Sequence, residues 1–190
     1  MRLLVTVLAA LAALAAAPAG TLVEGNHVRV HMPTGWKALP AITDGWKKIL
    51  SSKAELKGDA LGWGDDKAGV NGVVVWIDMP GVNDGKTRDV EDAFLTGISK
   101  AMPRSGENLK QEETKSRLVR RSSSDAETTS ITTFATAAID TKGTLHGIVA
   151  MCVRTGDAKA RAKSAAACDA FMASIEVTWK DAELKPLEKK

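Results

Sequence analysis

Val28, Val30 and Met32 alternate with His27, Arg29 and His31, and this period of two predicts a half-buried strand. Pro33-Thr34-Gly35 then turns the chain ahead of Trp36. In "ITDGWKKILSSKAELKG" the spacing of Trp46, Ile49 and Leu50 predicts a short helix. "AELKGDALGWGDD" reads as a weakly patterned strand, and "GVNGVVVWIDMP" as a buried one stopped by Pro80-Gly81. The clearest helix is "TRDVEDAFLTGISKAMP". Thr87 is placed to cap it, and Asp89, Glu91 and Asp92 sit near the positive end of its dipole. Val90, Phe94, Leu95, Ile98 and Met102 form its apolar stripe, and Pro103 ends it.

The second half predicts antiparallel sheet. "LVRRSSSD", "TSITTFATAAID" and "TLHGIVAMCVR" read as three strands, with "DTKG" as a tight turn between the last two. In the middle strand Ile131, Thr133, Ala135, Ala137 and Ile139 share a face. In the last, Leu145, Val149, Met151 and Val153 share one face, while Ile148, Ala150 and Cys152 share the other. A strand apolar on both sides belongs in the middle of a sheet. A helix from about Ala158 to Ser174 follows, capped by Asp157. Cys168, Phe171, Met172 and Ile175 form its inward stripe. The pattern as a whole predicts an α+β fold, an antiparallel sheet flanked by helices.

The ends of the chain carry different signals. "MRLLVTVLAALAALAAAPAG" has one early cation, Arg2, an apolar run from Leu3 to Ala17, and Ala17-Pro18-Ala19 as a small-residue cleavage site. The expectation is a signal peptide over residues 1–19, cleaved before Gly20, and a soluble periplasmic or secreted protein. The run is short for a membrane span, and no basic cluster follows it. Residues 20–180 are expected to form one domain, and 181–190, "DAELKPLEKK", a charged flexible tail. The formal net charge of +3 is spread over charges of both signs. That excludes the concentrated basic face of a nucleic-acid binder.

Cys152 and Cys168 are the only cysteines. One lies near the end of a strand and the other faces inward from the next helix. In an oxidising compartment this pair reads first as a disulfide, ahead of two buried free thiols or a reactive pair. No C-x-x-C marks a redox or zinc motif.

Other candidate chemistry is thin. His27 and His31 fall on one face of the first strand with Arg29 between, about 13 Å apart, too far to share a zinc ion. His146 is the third and last histidine. "MPGVNDGKT" places three residues between Gly81 and Gly85, one short of a phosphate loop. Ser122, Ser123 and Ser124 stand beside Arg120 and Arg121 with no marked histidine partner, and no G-x-S-x-G elbow occurs. Lys110, Lys115, Arg117, Arg120 and Arg121 form the most basic stretch, flanked by Glu112, Glu113, Asp125 and Glu127. It reads as a solvated sheet face, and otherwise as a dock for an acidic partner or anionic headgroups. No catalytic, cofactor-binding or metal-ligating residue is assigned, and no cofactor is expected.

The opening "VRVHMPTGW", with Pro33, Gly35 and Trp36, and the closing "CDAFMASIEV", with Phe171 and Ser174, resemble the PsbP-like and Mog-type fold, including exported DcrB-type proteins. By element order the resemblance spans about 25–180. It implies a sandwich of antiparallel sheet and helices in a mostly non-enzymatic group that binds or assembles other proteins. No functional residue carries over, and the lipid-anchor cysteine of exported lipoprotein relatives is missing. The functional expectation is therefore an exported, non-catalytic protein-binding or assembly protein of the bacterial envelope. Its expected partner is another envelope protein rather than nucleic acid. The alternatives are a small metal- or ligand-binding periplasmic protein, with His27 and His31 as donors, and a hydrolase with an unrecognised serine site.

Overall fold

The computed structural model describes residues 20–53, 55–82, 85–101, 108–113, 117–180 and 182–188. The signal-peptide segment, Met102 of the helical stripe, Lys115 of the basic stretch and two positions of the phosphate-loop-like turn lie outside the described residues.

The chain runs β1 (Gly20–Glu24), β2 (Val28–Pro33), β3 (Lys37–Ala38), α1 (Pro40–Ser51), β4 (Lys57–Asp65), β5 (Val70–Met79) and α2 (Thr87–Ala101). It continues β6 (Asn108–Glu113), β7 (Leu118–Asp125), β8 (Thr129–Ile139), β9 (Leu145–Thr155), α3 (Ala158–Lys163), α4 (Ala165–Ala173) and β10 (Glu176–Val177). Among the described residues, seven strands make one sheet in the order β3-β4-β5-β9-β8-β7-β6, and three make a second, β1-β2-β10. Every strand pairing is antiparallel. The fold is α+β, as the hydrophobic periodicity predicts.

Strand alternation divides the core in two. One face of the large sheet packs Val73, Val75, Ile77, Val149 and Met151 against Leu50 of α1 and Leu95 of α2. The other packs Val74, Ile148, Ala150 and Cys152 beneath Val28, Val30 and Met32 of the small sheet and Phe171 and Met172 of α4. β9 lies between β5 and β8 and is buried on both faces, which explains its unbroken apolar run. Gly147 of β9 admits α2: a Cβ there would meet the Phe94 ring at 2.4 Å.

Several expectations are corrected. The last helix is two pieces that meet at Ser164, whose hydroxyl reaches the carbonyls of Ala160 and Arg161. Such back-bonding competes with the helical ladder. The Asp157 cap is present, its carboxylate accepting from the Ala160 N–H at 2.8 Å. In α1, Leu50 is buried but Ile49 is 55% exposed, so the apolar face is narrower than its spacing suggests. The segment 182–188, expected to be a loose tail, runs along the sheet. Thr141 N–H donates to the Glu183 carbonyl, Lys185 N–H to the Ile139 carbonyl, and Leu187 packs on the core. Its Glu188 carboxylate accepts from the N–H groups of Thr87 and Arg88 at 3.1 and 3.0 Å. A distant carboxylate thus bonds the first turn of α2, where Thr87 was expected to supply the cap.

The basic stretch is split: Lys110 and Arg121 stay exposed, whereas Arg117 and Arg120 turn inward. Arg117 is 5% exposed, with Nη1 3.9 Å from a carboxylate oxygen of the fully buried Glu91. Arg120 bonds Asp92 and Thr96 of α2 at 2.8 and 2.9 Å. Alternation turns Arg120 toward α2, where it pairs with the half-exposed Asp92.

Glu91 gives the fold a pH dependence. Burial raises its carboxyl to about 7 from an ordinary 4.5, against the pull of Arg117 and with Glu188 adding repulsion. The folded state therefore holds a proton that the unfolded chain releases. This contribution is full below about 4.5 and is lost as pH rises through about 7. Glu91→Gln is expected to remove that loss. In paired urea titrations the variant should gain on the natural protein between pH 5 and pH 8, by on the order of 2 kcal/mol. A stability difference that stays flat with pH would contradict this assignment.

Candidate functional site

Three chain segments converge on one buried cluster. The β1–β2 turn closes through Gly25 N–H to the Val28 carbonyl at 2.7 Å. Gly25 lies so close to Trp76 that a Cβ there would meet its ring at 2.9 Å. The turn is thereby pressed onto the large sheet, and it delivers His27, 3% exposed, against that sheet. Asp78 near the end of β5 and His146 near the start of β9 stand directly opposite each other in the β5–β9 register. Asp140 enters from the β8–β9 turn.

The distances are those of a connected network. His146 Nδ1 is 2.7 Å from Asp78 Oδ1, and His27 Nε2 is 3.4 Å from the same oxygen. His146 Nε2 is 3.3 Å from Asp140 Oδ2. The other oxygen of Asp140 accepts from the N–H groups of Lys142 and Thr144 at 3.0 and 2.7 Å, which fixes that carboxylate. The two imidazoles meet edge-on with centroids 4.5 Å apart. The Trp179 ring lies 6.0 Å from His27. Trp179 adopts φ 45°, a left-handed conformation costly for a bulky residue, as the chain leaves β10.

Charge complementarity is strong at this centre. Burial opposes ionisation of Asp78, but hydrogen bonds from His146 and His27 outweigh it and hold the carboxyl far below its ordinary range. Asp140 is also lowered, by the Thr144 N–H and His146 against a burial penalty. The hydrogen bond to Asp78 raises His146 above its ordinary value, against burial. His27, Asp78 and His146 each offer a ligand atom, all within 4.8 Å of one another. This is a donor set that a metal ion can use.

The expected pairing of His27 with His31 on one strand face is corrected. His27 precedes β2 and faces the large sheet, whereas His31 lies farther along β2, where its backbone bonds the Ser174 hydroxyl. The partner of His27 is His146, far away in sequence. No sequence spacing marks this, because the strand register creates it. Short-range clues existed only for parts, such as Gly25-Asn26 as a turn and an unpaired polar residue, His146, on an otherwise apolar strand.

Cys152 of β9 and Cys168 of α4 are joined in a disulfide, with Cα atoms 5.8 Å apart. Both are buried in the core under the small sheet.

A second feature lies beside β6–β8. Lys110, Arg121, Ser122, Ser123 and Thr132 line a cleft of about 490 Å³. Arg121 also borders a cleft of about 330 Å³ with Phe134 and Trp179. Its guanidinium carbon sits 5.0 Å over the Phe134 ring. Ser122 and Ser123 thus join a basic wall.

Among the described residues no helix is long and apolar enough to cross a membrane. No family model and no curated protein matches the chain. Among solved structures, it is similar to the solution structure of cyanobacterial PsbP (CyanoP) from Synechocystis sp. PCC 6803. The TM-score is 0.42 and the sequence identity 11%, over 83% of this chain and 91% of that one.

Proposed function

We propose that the protein is exported and acts as a non-catalytic accessory of the cell envelope, binding an acidic segment of another envelope protein. The observation that carries this reading is the pair of clefts joined at Arg121. Arg121 is 45% exposed, set over the Phe134 ring and 3.8 Å from the Glu112 carboxylate that lines the same cleft, so an acidic partner would share or displace that pair on an already ordered guanidinium. Lys110 adds charge, Ser122, Ser123 and Thr132 add hydroxyls, and Trp179 adds an aromatic wall. Such a surface suits carboxylates flanked by apolar side chains. The N-terminal pattern supports export. The buried disulfide supports an oxidising compartment.

Photo-cross-linking from position 122 in the producing cell tests this reading. One discrete adduct is expected, and Arg121→Glu should reduce its yield at least about tenfold. An adduct unchanged by Arg121→Glu, or no adduct, would overturn the reading.

A further inference from the structure

We propose that His27, Asp78 and His146 bind one divalent transition-metal ion, zinc by ligand preference, with Asp140 positioning His146. The site borders the cleft at Arg121 through Trp179 but shares no proposed ligand with it.

The spacing of the donors comes first. Zinc takes nitrogen and oxygen ligands at about 2.0–2.2 Å, so tetrahedral neighbours stand about 3.3 Å apart. The His27 Nε2 to Asp78 Oδ1 distance is 3.4 Å. The third donor, His146 Nδ1, lies within the same 4.8 Å set. It now hydrogen-bonds Asp78 at 2.7 Å, a contact that opens slightly to admit an ion. Three protein ligands leave one position for water or a partner group. The Asp78 side chain is 24% exposed, so this edge of the cluster meets solvent.

The surroundings of the donors come second. A histidine that ligates through one nitrogen commonly donates its other N–H to a carboxylate, which fixes its tautomer and orientation. Asp140 Oδ2 stands 3.3 Å from His146 Nε2 in that role. Asp140 is in turn held by two backbone N–H groups of its own turn. The arrangement is donor, orienting carboxylate and anchored loop, built from three separate segments.

His27 is 3% exposed. Its Nε2 meets Asp78 at 3.4 Å and the Asn26 amide at 3.2 Å, and an ion at Nε2 would take the place of the Asn26 contact. The mixed imidazole–carboxylate set suits zinc and its first-row neighbours over calcium or magnesium, which prefer all-oxygen shells. The two cysteines are joined to each other and do not compete as ligands.

The test is equilibrium dialysis of untagged, disulfide-intact protein against zinc alone, with metal quantified by mass spectrometry. One equivalent is expected. His27→Gln and His146→Gln should weaken binding by more than about 100-fold, and Asp140→Asn by about 10–100-fold. His31→Gln should leave it unchanged. His27 lies at a hairpin turn, so His27→Gln keeps the test available if His146→Gln does not fold. Quenching of tryptophan fluorescence by copper(II) gives a second readout on the natural protein, because Trp179 lies 6.0 Å from the His27 ring. Absence of zinc binding by the natural protein would overturn the proposal and leave the cluster a hydrogen-bonded network only. Undiminished binding in folded His27→Gln would overturn it equally.

Discussion

Phe171→Ala is expected to destabilise the protein by about 3–5 kcal/mol, the cost of emptying a large buried aromatic site. Phe171 is fully buried, and its ring lies 5.4 Å from that of Trp36. Gly72 of β5 supplies the floor, since a Cβ there would stand 2.9 Å from the Phe171 ring. Helix α4, the turn before β3 and the large sheet thus meet at this one side chain. Rigid strands on either side limit collapse into the hole, which places the cost toward the upper part of the range. Denaturant unfolding checks it. A loss under about 1 kcal/mol would mean that α4 does not pack as described.

The disulfide carries the second large effect. Reduction is expected to lower stability by about 3 kcal/mol, because the bond closes a loop of about 16 residues and restricts the unfolded chain. Comparing oxidised and reduced natural protein isolates the bond, whereas replacing both cysteines also removes sulfur from the core. The bond ties β9 to α4, and α4 in turn covers β2. Reduction should therefore loosen α4 and the small sheet before α2. Hydrogen exchange would show this as lost protection in β2 and α4. Equal stability of the two forms would contradict the staple.

The same two residues show what the sequence reveals. Cys168 and Phe171 fall on one helical face, and Cys152 on one strand face, so their common core follows from periodicity alone. β2, β5, β8, β9 and α2 are legible for the same reason, since each buries a regular apolar stripe. Other elements carry no such stripe. β1 is almost wholly exposed, and β6, "NLKQEE", is a polar edge strand that exists by pairing with β7. The break at Ser164 has no glycine or proline to announce it.

Polar burial was the least legible property. Glu91 sits where an exposed acid suits a helix dipole, yet it is fully buried near Arg117. Its environment comes from the β7 edge and the returning C-terminal segment, which local pattern cannot show. The histidine–aspartate centre has the same origin. His27, Asp78, Asp140 and His146 meet because a hairpin turn docks on a register set by β5, β9 and β8. Each looks unremarkable within its own segment.

Native mass spectrometry of the untagged protein, recovered without reductant, tests the proposed export and the disulfide together. The expected mass is that of a chain that begins at Gly20 and is two hydrogens lighter than its reduced form. A chain that begins at Met1 with both thiols free would contradict it, and would remove the oxidising compartment on which the proposed envelope role depends.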